Sequence, residues 1–160
     1  MSSSERRQGS DRRRVPRGGR RSYDQPGRHP KLLIADSYDG ARIPCVRYLD
    51  HFGFHVEQAV DGDQVLAALS TTKPDVILME RGLPLLSART LGDRLEEHDD
   101  TRTIPIIVMT SEFDVDGTHV EAASGILVKP FPLSSMIEEV RRALRACPPR
   151  TGVAPPSQPL

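Results

Sequence analysis

Four polar residues stand where apolar runs end. Asp36 closes Lys31-Leu-Leu-Ile-Ala-Asp36, Glu80 closes Asp75-Val-Ile-Leu-Met-Glu80, Thr110 closes Ile104-Pro-Ile-Ile-Val-Met-Thr110 and Lys129 closes Gly125-Ile-Leu-Val-Lys129. Two carboxylates can hold a divalent cation through hard oxygens, an ammonium can neutralise a phosphoryl oxygen, and a hydroxyl can donate to another. Brought together, the set suits a phosphoryl group beside Mg²⁺. Taken singly, each residue has a plainer reading: an acid that caps the following segment, or a Lys and a Thr that tie down loops.

Residues this far apart in sequence meet only if the runs are neighbouring parallel strands. Val76 to Met79 shows no polar alternation, as expected of a strand covered on both faces. Helical patterns separate the runs. Tyr38 to Phe52 places Ile43, Val46 and Leu49 on one face and stops at Gly53, with Pro44 either in the first turn or at a kink. Phe54 to Val60 alternates like a strand. Asp61-Gly62 then turns into a helix with Val65, Leu66 and Leu69 inward, and Ser87 caps another carrying Leu91 and Leu95. Asp114 to Ala123 has room for a short helix only, and Pro130-Phe-Pro132 leads into a last helix with Met136, Ile137, Val140 and Leu144 in register. Five βα units predict an α/β fold, a doubly wound five-stranded parallel sheet between helices. Ligands of such sheets bind beyond the carboxyl ends of the strands, where the four residues stand.

The zero net charge of the 160 residues hides a polarity. Residues 1–30 carry nine Arg against Glu5, Asp11 and Asp24, a net of +6, and residues 31–160 carry a net of −6. The basic segment lacks apolar periodicity and is rich in Ser, Gly and Pro, so it reads as a disordered tail; residues 147–160 read as a second, Pro-rich one. The folded part is then residues 31–146. No apolar run is long enough to span a membrane, and no signal core follows the basic start, which predicts a cytoplasmic protein. Cys45 and Cys147 read as free thiols. Asp114-Val-Asp-Gly-Thr118 looks like a phosphatase nucleophile motif, but it does not end a first strand, and too little chain follows it for that fold. His51 and His55 straddle Gly53 and read as surface residues rather than metal ligands.

Ile34-Ala-Asp-Ser37, Asp75-Val-Ile-Leu-Met-Glu80 with Pro84 beyond it, Val108-Met-Thr-Ser111 and Val128-Lys-Pro-Phe131 resemble, in order and spacing, the landmarks of the receiver domains of bacterial two-component response regulators. The likeness runs over roughly residues 30–146. It implies a flavodoxin-like (βα)5 fold with strand order 2-1-3-4-5 and a cis Lys129-Pro130 bond. It also implies a phosphoacceptor position at Glu80 supported by Thr110 and Lys129, a metal site of Asp36, Glu80 and the Gly82 carbonyl, and switch positions at Thr110 and Ile126.

Three departures qualify what the resemblance implies. Glu80 stands where the family has Asp, and a nucleophile displaced by about an ångström loses orders of magnitude in rate. The acidic pair after the first strand is reduced to Asp36 followed by Ser37, so any Mg²⁺ should bind weakly. Ile126 replaces the usual aromatic switch residue. The expectation is a stand-alone receiver-like signalling module, not an enzyme and not phosphorylated in the standard way. It would act by contact with a sensor histidine kinase or a downstream protein. Glu80 would pair with Lys129 and Thr110. The rival expectation is a nucleic-acid-associated adaptor that binds through residues 1–30, with the acidic domain as scaffold.

Overall fold

The computed structural model describes residues 29–111 and 123–147. Most of both expected tails and nearly all of the segment 114–123, including the Asp114 motif, lie outside them. The described elements are β1 (Lys31–Ala35), α1 (Asp39–His51), β2 (His55–Ala59), α2 (Gly62–Thr71), β3 (Val76–Glu80), α3 (Ala88–Glu96), β4 (Ile106–Ser111), β5 (Ala123–Lys129) and α4 (Leu133–Ala146). All strand pairs are parallel and the order is β2-β1-β3-β4-β5, as the resemblance implied.

Strand alternation divides the core in two. Leu32, Ile34, Leu78, Ile107, Met109 and Leu127 pack against α1 and α4. Leu33, Ile77, Met79, Ile106 and Val108 pack on the other face against α2 and α3. Three helix signals act as read. Ser87 accepts the Thr90 N–H at 3.1 Å, Asp61 accepts the Gln64 N–H at 2.9 Å, and Gly53 ends α1 at φ +83°, a conformation glycine adopts without penalty.

Helix α1 differs from expectation in its buried face. Its buried residues are Arg42, Cys45 and Leu49, while Ile43 is exposed and Val46 only half-buried. Arg42 is drawn inward because the core offers its guanidinium three acceptors: the Asp36 carbonyl at 2.7 Å, the Gln58 side chain at 3.1 Å and the Asp39 carboxylate. Pro44 lies in the second turn rather than the first. Having no N–H, it offers no donor to the Gly40 carbonyl.

Candidate functional site

Asp36 follows β1 directly and is 1% exposed, although it is a carboxylate. Both of its oxygens are engaged: Oδ1 accepts the Tyr38 N–H at 2.9 Å, and Oδ2 meets Lys129 Nζ at 2.5 Å. A buried carboxylate is costly unless such partners compensate it. Lys129 arrives from the end of β5, on the far side of two intervening strands. Glu80, at the end of β3, directs Oε2 to Ser37, whose N–H and hydroxyl donate to it at 3.1 and 2.9 Å. Its Oε1 lies 3.9 Å from Lys129 Nζ. One cation thus faces two acids, much closer to Asp36. The expected Glu80–Lys129 pair is present only at that longer range, because Lys129 is already committed to Asp36.

Thr110 does not join this cluster. It has the strand parity of Ile106 and Val108, which pack towards α2 and α3, whereas Asp36, Glu80 and Lys129 share the parity of the α1 and α4 face. Among the described residues its hydroxyl donates only to the Ser111 carbonyl, at 3.4 Å. The expected pairing of Glu80 with Thr110 is therefore corrected: the two stand at one rim of the sheet but on opposite faces. Ile126 is 50% exposed on the Thr110 face, level with Val108 in the register.

Gly82 is exposed in the turn after β3, which the Leu83 N–H closes onto the Glu80 carbonyl at 3.3 Å. No group of three or more metal-ligating side chains is gathered among the described residues. The Lys129-Pro130 peptide is cis. Sequence reasoning noticed Ser37 only as a missing acid. Its hydroxyl, next to Asp36, is the signal that could have marked it as a donor to Glu80.

A cavity of about 470 Å³ opens beside these residues, between the start of α1 and the segment after β5. Asp36, Glu80 and Lys129 line it together with Arg42, Cys45, Met109 and Phe131. Burial pushes the Cys45 thiol above its ordinary pKa; the Asp36 charge adds to this and Lys129 opposes it.

A doubly wound parallel sheet that sets acids and a lysine at its carboxyl rim is one class of α/β domain, with its ligands expected at that rim. Within it, the model of the response regulator receiver domain matches residues 32–141, and the chain belongs to that family. It is 30% identical over 119 residues to the transcriptional regulatory protein PrrA of Mycobacterium leprae, covering 72% of this chain and 50% of that protein. It is equally similar to the DNA-binding dual master transcriptional regulator RpaA of Synechocystis, covering 72% of this chain and 49% of that one. The chain therefore spans about half the length of these curated relatives. The chemotaxis response regulator CheY4 of Vibrio cholerae superposes with a TM-score of 0.64 at 25% identity, over 73% of this chain and all of that one. A signal receiver domain of a histidine kinase from Syntrophus aciditrophicus shares the fold, with a TM-score of 0.69 at 22% identity over 79% of this chain and 98% of that one. Receiver domains of this family are signalling modules of two-component systems, working with histidine kinases and with DNA-binding output domains. No helix among the described residues is long and apolar enough to cross a membrane.

Proposed function

We propose that residues 31–146 form a receiver module whose state is not set by phosphoryl transfer to Glu80 and which acts through protein contact. The observation that carries this reading is the double hydrogen bond from Ser37 to Glu80 Oε2, at 3.1 and 2.9 Å. An acceptor carboxylate must present a free oxygen in line with the incoming phosphorus. Here one oxygen accepts twice from Ser37, and the other faces an ammonium that already neutralises Asp36. The longer side chain thus satisfies the rim from within, giving a locked receiver. Its partners are signalling proteins, a sensor histidine kinase or a downstream protein among them.

The donor set fits Mg²⁺ poorly. Family members hold the ion on acids at this rim, but this chain has two where three are usual, and Lys129 stands against Asp36 where a cation would bind. Mg²⁺ therefore binds weakly at Asp36, Glu80 and the Gly82 carbonyl. Thr110 and Ile126, which share a face, lack the aromatic residue that would couple them. The net charge of +6 on residues 1–30 supports a second reading, attachment to nucleic acid through that segment.

Beryllofluoride, a phosphoryl analogue that must coordinate a carboxylate, tests the first reading by ¹⁹F NMR. The native chain with Mg²⁺ should give no protein-bound resonance, and Glu80→Asp, which withdraws the carboxylate by one methylene, should give one. A bound resonance from the native chain overturns the proposal.

A further inference from the structure

The cavity between α1 and the Lys129-Pro130-Phe131 segment has the character of a small-molecule site. Its volume, about 470 Å³, falls within the range of roughly 300–1,000 Å³ typical of such sites. Ile34, Cys45, Met109 and Phe131 give it apolar walls, and its polar groups gather at the sheet rim. Their balance can be worked out group by group. Arg42 is paired with Asp39 and donates one N–H each to the Asp36 carbonyl and Gln58. Lys129 is shared between Asp36 at 2.5 Å and Glu80 at 3.9 Å, so two carboxylates face one ammonium. Asp36 has both oxygens committed. Glu80 Oε1 has only the long contact to Lys129, and Pro44 supplies no donor to the Gly40 carbonyl, with Gly40 and Pro44 both lining the cavity. Among these groups, Asp36, Asp39 and Glu80 outnumber Arg42 and Lys129, which leaves one negative charge in excess at the end of an apolar chamber.

We infer that this cavity binds a small organic cation, an aryl or alkyl amine or amidine whose head meets Glu80 and whose apolar body lies against Met109 and Phe131. A cation of this kind would give Glu80 Oε1, which has only the 3.9 Å contact to Lys129, a close partner and would gain from the Phe131 ring. Occupancy would bear on both α1 and the segment after β5. If Glu80 does not accept a phosphoryl group, it is ligand and not phosphate that sets the state of the module. That regulatory consequence rests on the function proposed above; the binding itself does not.

Benzamidinium serves as the probe, with phenylacetate and benzyl alcohol as anionic and neutral counterparts, titrated into the ¹⁵N-labelled full chain. Benzamidinium should give saturable shifts at the amides of Gly40, Cys45 and Phe131, and the counterparts should give none at matched concentration. Glu80→Gln should weaken binding about tenfold, and Ala41→Leu, which adds bulk to the cavity wall without opposing helix formation, should abolish it. A dispersed spectrum of each variant certifies its fold. Absence of saturable shifts at these amides, or equal binding of phenylacetate, overturns the inference. Neither result bears on phosphorylation, which beryllofluoride reads separately.

Discussion

Lys129 Nζ sits 2.5 Å from Asp36 Oδ2, joining residues 93 positions apart across a pair of intervening strands. Asp36 is almost wholly buried, so this contact pairs its carboxylate within the interior. Lys129→Met strands that charge and should cost about 3 kcal/mol of stability. Combined with Asp36→Asn, much of the loss should return, because the uncompensated charge is gone. Urea denaturation of the two single variants and the double variant measures this coupling. Strictly additive losses would mean that the pair contributes nothing.

Arg42 pins the Asp36 carbonyl and the Gln58 side chain from inside α1. Arg42→Leu keeps an apolar stem but leaves the buried carbonyl without its donor, at a cost of about 2 kcal/mol. Ile43→Ala, on the exposed side of the same helix, should cost well under half of that. Denaturant midpoints of the two variants give the comparison, and equal losses would contradict the buried face assigned to α1.

Gly62 donates its N–H to the Pro84 carbonyl at 2.8 Å, and a Cβ there would lie 2.4 Å from the Leu86 Cβ and 3.0 Å from the Leu85 carbonyl carbon. Two of the three nearest atoms are backbone and cannot step aside cheaply. Gly62→Ala should therefore destabilise by about 1–3 kcal/mol, against the helix preference of alanine. It should also move the loop that carries Gly82. A thermal melt without loss of Tm would refute the close approach.

Because the Cys45 thiol is pushed up by burial, with Asp36 adding to the effect, the folded state holds its proton more tightly than the unfolded chain does. Its stabilising contribution is complete below the unfolded thiol pKa of about 8.5 and is lost as pH rises through the raised folded value. Cys45→Ala should flatten this alkaline decline. Stability measured from about pH 7 to pH 10 in both proteins checks it; parallel curves would contradict it.

The element order was legible because β1, β3, β4 and β5 contain apolar runs and β2 alternates, and Ser87, Asp61 and Gly53 mark helix ends by local chemistry alone. What failed needed tertiary context. The expected inner face of α1 held Ile43, Val46 and Leu49; Arg42 is buried because the Asp36 carbonyl and Gln58 supply acceptors, and this turned the face away from Ile43. Thr110 was rightly placed at a strand end, but the face on which its hydroxyl stands depends on register, which one chain does not encode locally. Ser37 and Glu80 are 43 positions apart, and nothing in either run announces their bond.

Whether Glu80 is closed to phosphoryl transfer is decided most directly by the intact mass of the native chain after incubation with acetyl phosphate and Mg²⁺. The Ser37 and Lys129 contacts predict no added phosphoryl mass. A stoichiometric, acid-stable, base-labile adduct mapped to Glu80 would contradict the account.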